Sequence, residues 1–196
     1  MSQVRRREAV KVLLQDRGEL LVVAGLGASA YDLASAGEGP LDFPLWGAMG
    51  GAAMLGMGLA LAQPDRRILV LTGDGEMLMG LGSLATIATQ GPQNLHIVVL
   101  DNEVYGETGQ QPTQTGLGLD LAAVASSCGF TVTGVVTDLS DVERLRSVIH
   151  AGEGPTFTVV KVVVEQLPRV LPAREGAYLT HRIREALLGK DRALED

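Results

Sequence analysis

Apolar residues along this chain follow two rhythms. Short unbroken runs rich in β-branched residues occupy positions 20–24, 69–71, 97–100, 131–136 and 156–164. Each is too short for a helix and most stop abruptly at glycine or polar residues, as buried parallel strands do. Between them lie stretches with helical spacing or capping signals. Residues 4–16 place Val10, Leu13 and Leu14 on one face, 77–90 and 119–128 follow, 140–149 opens on Ser140 and Glu143 as a capping box, and 176–188 closes the series. Strands alternating with helices predict an α/β protein, a three-layer doubly wound parallel sheet. No repeat or linker divides the chain, so residues 1–196 read as a single domain.

Three stretches break the rhythm. Residues 35–45, with Gly37, Gly39, Pro40 and Pro44, read as an irregular loop. Residues 47–62 carry no charge and are rich in glycine, so they should be buried, with the glycines permitting close contact to a neighbouring element or a flat ligand. Residues 103–118 form a long polar loop with no basic residue, of the kind that is usually functional or mobile.

Composition narrows the classes. With 46% hydrophobic and 20% charged residues and 25 glycines, the 196-residue chain is suited to one packed domain with tight turns. A net charge of -7 and a pI near 5.0 disfavour nucleic acid and anionic membranes as partners. The single Cys128 excludes an internal disulfide and a cysteine-rich metal site. Arg5-Arg6-Arg7 followed by the apolar run 20–24 and Ala28-Ser29-Ala30 imitates a secretory signal, but Asp16 and Glu19 interrupt its basic flank, and the expected location is cytoplasmic.

The candidate chemistry sits at two strand ends. Asp74 lies between Gly73 and Gly75 at the end of one run, and Asn102 closes another. Two oxygen donors completed by phosphate oxygens suit Mg²⁺. A helix starting after Gly75 would add backbone N–H groups and a partial positive charge. At 25–29, Gly-Leu-Gly-Ala-Ser makes a small-residue turn through which backbone can approach a ligand, although as a dinucleotide fingerprint it is incomplete. No Lys or Arg occurs between Arg17 and Arg66 or between Arg67 and Arg144. Bound phosphate should therefore be met by backbone amides and a metal, and a Walker-type site is excluded.

Gly73-Asp74-Gly75 with Asn102 twenty-eight residues after Asp74 resembles the cofactor motif of thiamine diphosphate-dependent enzymes. Residues 101–109, Asp-Asn-Glu-Val-Tyr-Gly-Glu-Thr-Gly, are similar to the asparagine loop of the separate small subunit of sulfopyruvate- and phosphonopyruvate-type 2-oxo acid decarboxylases. The resemblance implies Mg²⁺ held by Asp74, Asn102 and the Val104 carbonyl, with Gly73, Gly75, Glu76, Tyr105 and Gly106 around the diphosphate. It also implies Gly27, Ala28 and Ser29 closing the other side, the Gly47 carbonyl holding the pyrimidine amine and Met49 bending the cofactor. The Glu76 side chain should turn outward, away from the diphosphate. The activating glutamate of the family lies on a pyrimidine-binding domain for which this chain leaves no room, so the resemblance implies a second polypeptide, facing residues 46–61 and 103–118. That partner should also supply most of any cationic clamp for the substrate.

Tyr31 and Asp32 are candidates for the substrate pocket, while His96 reads as packed in a strand and His150 and His181 as solvated. Other classes stay open: a cofactor-binding homologue without turnover, a thiamine-dependent carboligase, or a dinucleotide-binding oxidoreductase module. The residues do not name the 2-oxo acid.

Overall fold

The structure, a computed structural model, describes residues 4–194. Its centre is a parallel sheet of six strands among the described residues: β1 (Leu21–Ala24), β2 (Asp42–Pro44), β3 (Ile68–Gly73), β4 (Leu95–Asp101), and, later in the chain, Val132–Val136 and Thr156–Lys161. A two-stranded ribbon, β5 (Val104–Tyr105) with β6 (Gln111–Pro112), follows β4, so the last two sheet strands are β7 and β8. The order across the sheet is β2-β1-β3-β4-β8-β7. The run at 20–24 thus supplies an interior strand, paired on both sides.

Pleating explains why the runs at 20–24, 69–71 and 97–100 are apolar throughout. In β3, Leu69 and Leu71 pack into the core shared with α1 (Arg6–Leu13), α2 (Ala28–Ser35) and α7 (Leu139–Ala151). Ile68 and Val70 point the other way, toward α3 (Ala52–Ala62), α5 (Ser83–Gln90), α6 (Leu121–Cys128) and α8 (Gly176–Leu188). Alternate side chains leave opposite faces, and both faces are covered. Val22 and Ala24 of β1 and Val98 and Leu100 of β4 repeat the same division.

Several expectations are corrected. The loop at 35–45 contains the edge strand β2, made possible by register with β1 at Val22 and Asp42. The helix expected over 77–90 is two, α4 (Asp74–Met79) and α5, because Gly80 closes on Gly50: a Cβ on Gly80 would lie 2.2 Å from the Gly50 carbonyl oxygen. Only α3 within 47–62 is helical, and only one side of it is buried. Ala52, Ala53, Gly56 and Ala60 face the core, whereas Met54 and Leu61 are exposed. Gly56 permits that approach, since its Cβ would meet Val70 Cγ2 at 2.3 Å. The cap of α7 is Asp138, which accepts from the Asp141 N–H, while the Ser140 hydroxyl donates to Asp138 instead of capping. The 103–118 loop is ordered by the β5–β6 ribbon and a 3₁₀ turn at Thr115–Leu117. No helix among the described residues is long and apolar enough to cross a membrane.

Strand order places the site. Going from β1 the chain moves outward to β2, then returns past β1 to β3 and proceeds to the other side, so the winding reverses between β1 and β3. In open α/β sheets the crevice at the carboxyl ends of such strands binds ligands. Residues 162–175 then run from β8 across these ends to the β2 side. There Trp46 Nε1 donates to the Ala173 carbonyl at 2.8 Å, and the Ala173 N–H donates to Glu38 at 3.1 Å.

Candidate active site

A cavity of about 380 Å³ opens at the reversal point. Its wall includes Gly73, Asp74, Gly75 and Glu76 from the β3 end, Asn102, Val104, Tyr105 and Gly106 from the β4 end, and Ala28, Ser29 and Tyr31 from the β1 end, with Met49 beside them. Gly27, Gly47 and Asp32 do not form part of it. Register brings the two expected ligands together: Gly73 of β3 pairs with Leu100 of β4, so Asp74 and Asn102 leave neighbouring strand tips, strands lying about 4.8 Å apart.

Asp74 is 2% exposed and elaborately held. The Thr113 hydroxyl donates to its Oδ2 at 2.6 Å and the Thr115 hydroxyl lies at 3.3 Å from the same oxygen. Thr115 also donates to Asp101 Oδ1 at 2.8 Å, and Lys161 Nζ joins Asp101 at 2.8 Å and Glu103 at 2.7 Å. Burial pushes the Asp74 carboxyl up to about 6, opposed by the Thr113 hydrogen bond and reinforced by the Asp101 charge. Asn102 accepts the Val104 N–H at 3.2 Å, an Asx turn that sets the backbone of the ribbon's first residue. The turn is tight: Glu103 has φ of 66°, and Ala48, next to the wall residue Met49, has 53°, positions that favour glycine and that concentrate at functional sites.

The glycines are explained by close approaches. A Cβ on Gly75 would meet the Tyr105 ring at 2.5 Å, so Tyr105 lies directly on the turn. Around Gly73 there is open space. The α2 helix, preceded by Gly27 at φ of 78°, has no side-chain cap, which leaves its first N–H groups available to an anion.

Glu76 departs from expectation. Its side chain turns inward, is 4% exposed, and accepts the Thr72 hydroxyl at 2.9 Å. Burial raises the carboxyl above its ordinary value, with the Thr72 hydrogen bond acting against this. Gly25 makes room for it, since a Cβ there would fall 1.5 Å from Glu76 Oε2. Asp32 is corrected too: it is fully buried beneath Arg6 and Arg7, whose Nε atoms both bind it, and its place is structural. Of the histidines, His96 is buried in central β4 beside Thr156 at 3.0 Å, and His150 is partly buried with its Nε2 enclosed, so it is not simply solvated.

The reading of a site without cations fails in space. Arg6, Arg7 and Arg169 line the same cavity, brought there by α1 and by the segment after β8. Thr113, Thr115 and Lys161 were likewise absent from the sequence-based site. A polar loop without basic residues was the only hint of the two threonines, and nothing near Lys161 in sequence marks it.

A parallel sheet whose winding reverses between β1 and β3, with a carboxylate and a carboxamide at the tips of β3 and β4, has the architecture of the cofactor-binding α/β proteins. The family model for the thiamine pyrophosphate enzyme C-terminal TPP binding domain matches residues 25–162, and the chain belongs to that family. It is 41% identical over 162 residues to sulfopyruvate decarboxylase subunit beta of Methanothermobacter thermautotrophicus, covering 83% of this chain and 82% of the relative. To phosphonopyruvate decarboxylase of Streptomyces viridochromogenes it is 39% identical, covering 78% of this chain and 39% of that one. Benzoylformate decarboxylase from Polynucleobacter necessarius shares the fold, with a TM-score of 0.69 at 19% identity over 85% of this chain and 34% of that structure. The chain therefore spans well under half the length of the phosphonopyruvate and benzoylformate enzymes and most of the length of the beta subunit.

Proposed function

We propose that this chain is the diphosphate-binding subunit of a cytoplasmic two-polypeptide enzyme, a carbon–carbon lyase that decarboxylates a small 2-oxo acid of the sulfopyruvate or phosphonopyruvate type with thiamine diphosphate and Mg²⁺. The observation that carries the reading is the pairing of Asp74 and Asn102 at adjacent strand tips, in a chain 41% identical to a sulfopyruvate decarboxylase beta subunit.

The donor set fits Mg²⁺ bound together with phosphate and not alone. Among the described residues no group of three or more His, Cys, Asp or Glu side chains is placed to hold a metal. One carboxylate, one carboxamide and a carbonyl leave further octahedral positions for diphosphate oxygens and water. Asp74, Asn102 and the Val104 carbonyl would hold the ion, and the amides of Gly75 and Glu76 and of the α2 start would meet the diphosphate. The cofactor, when bound, supplies the electron sink that makes loss of CO₂ feasible.

What this chain's own residues do is orient and enclose. Thr113 and Thr115 fix the Asp74 carboxylate, and Lys161 neutralises Asp101 behind it. Met49, 38% exposed on the cavity wall, would prop the bound cofactor. Residues 162–175 cross the strand ends and would limit water there once the cofactor is bound, strengthening the charge interactions inside. The exposed apolar side chains Met54, Met79 and Leu117, which fall in or near the stretches expected to face a partner, support such a surface. The partner would contribute the pyrimidine-binding domain and its glutamate.

The test is reconstitution. The chain combined with a pyrimidine-domain partner should release CO₂ from sulfopyruvate or phosphonopyruvate only with both polypeptides, thiamine diphosphate and Mg²⁺ present. Thermal protection of the chain by NAD(P), with none by thiamine diphosphate and Mg²⁺, would refute the reading.

A further inference from the structure

The residues proposed for the cofactor account for part of the cavity wall and leave its three arginines unused. Arg6 is 8% exposed although it carries a full charge. Its Nε is held by the buried Asp32, its backbone N–H donates to Glu165 at 3.2 Å, and its terminal guanidinium nitrogens have no partner among the described residues. A guanidinium anchored at Nε keeps its two-pronged edge free for a planar or tetrahedral anion. Arg7 shares Asp32 at 3.0 Å and donates to the Pro168 carbonyl at 2.9 Å, so α1 is clasped to the segment crossing the strand ends. That segment brings Arg169 to the same cavity, over the Tyr31 ring at 5.8 Å and paired with exposed Glu107 at 2.9 Å.

Two anions could want this charge, the cofactor's diphosphate or an acidic group on the substrate. On the decarboxylase reading the diphosphate would already have Mg²⁺, the amides after Gly73 and the uncapped start of α2. All of those elements lie inside residues 25–162, the part matched by the family of thiamine-dependent enzymes, whereas Arg6, Arg7 and Arg169 lie in segments outside it. The residues that flank a shared cofactor module are the ones free to select a substrate. We propose that Arg6, together with Arg169 of the same cavity wall, is the receptor for the second acidic group, a sulfonate or phosphonate, of a dianionic 2-oxo acid. This rests on the decarboxylase reading, and it transfers the clamp expected from the partner to this chain.

The test uses the two-chain enzyme loaded with thiamine diphosphate and Mg²⁺. Arg6→Gln should raise KM for sulfopyruvate or phosphonopyruvate by about tenfold or more. KM for pyruvate, which lacks the second acid, and the affinity for thiamine diphosphate should stay within about twofold. Arg169→Gln, an exposed position that does not threaten folding, should do the same to a smaller degree. Equal loss with pyruvate, or a tenfold weaker hold on thiamine diphosphate, would assign the arginines to the cofactor and overturn the proposal. Calorimetry with 3-sulfopropanoate as probe separates the two ideas. An enzyme that turns over none of the three acids yet binds the sulfonate, and binds it about tenfold more weakly after Arg6→Gln, sinks the decarboxylase reading and keeps the anion site. Turnover of all three acids with sulfonate binding indifferent to both substitutions does the reverse.

Discussion

Asp74→Asn should make the metal-free protein more stable while destroying its capacity to be stabilised by its cofactor. The wild-type carboxyl is raised from 3.8 to about 6, mainly by burial, so at pH 7.5 the folded protein carries a charge it would rather not hold. At about 1.36 kcal/mol per pH unit, that displacement corresponds to about 3 kcal/mol as an upper bound. The sign follows from the raised value: the group's contribution is fully favourable below pH 3.8 and is lost as pH rises through about 6. An asparagine is isosteric and its amide can keep a hydrogen bond to Thr113, so about 2 kcal/mol of this should be recovered at pH 7.5. For a chain of this length that is a rise in Tm of roughly 4–8 °C. The assay is urea unfolding with EDTA present, at pH 7.5 and pH 4, read as variant minus wild type so that other titrating groups cancel. The difference should be positive at pH 7.5 and close to zero at pH 4. With Mg²⁺ and thiamine diphosphate at about a hundred times their dissociation constant, wild type should gain about 2.7 kcal/mol and the variant nothing. A variant less stable than wild type at pH 7.5 without metal would refute the account of Asp74 as a charge held at a cost for its ligand.

Three further outcomes follow from single contacts. Thr113→Val removes the 2.6 Å hydrogen bond to Asp74 and should weaken Mg²⁺-dependent thiamine diphosphate binding by about tenfold to a hundredfold in a fluorescence titration, with little change in the fold's circular dichroism. Gly56→Ala gains about 1 kcal/mol of helix propensity but drives a methyl into Val70 Cγ2, so urea unfolding should show a net loss of roughly 1–2 kcal/mol. His96 is held down to about 4, first by burial and then by the Arg67 charge, so its contribution is present above pH 6.5 and is lost as pH falls toward 4. His96→Gln should therefore flatten the drop in unfolding free energy between pH 7 and pH 4.5.

The sheet was legible because burial on both faces writes itself as unbroken apolar runs. In β3, Ile68 and Val70 serve one core and Leu69 and Leu71 the other, and no polar residue could occupy any of the four. The strand β2 was hidden because an edge strand needs only three paired residues and here includes Pro44, which reads locally as a breaker. The break at Gly80 was hidden for a different reason: what stops the helix is Gly50, thirty residues away, and contact between two backbones leaves no mark in periodicity.

The site divides along the same line. The nearness of Asp74 and Asn102 can be read because each sits at the end of its own strand and neighbouring parallel strands must bring their ends together. The arginines cannot, because a map of charge along the chain treats Arg6 and Arg169 as remote from Asp74, whereas the sheet's winding sends α1 and the segment after β8 over one rim. Asp32 shows how firmly that convergence is enforced. A fully buried carboxylate in α2 is tolerable only when paired, and its two partners, Arg6 and Arg7, both come from α1. The pairing that satisfies Asp32 also forces two guanidinium groups into the cavity wall. A buried acid that looked like a pocket residue is thus better understood as the anchor that holds the pocket's positive charge in place.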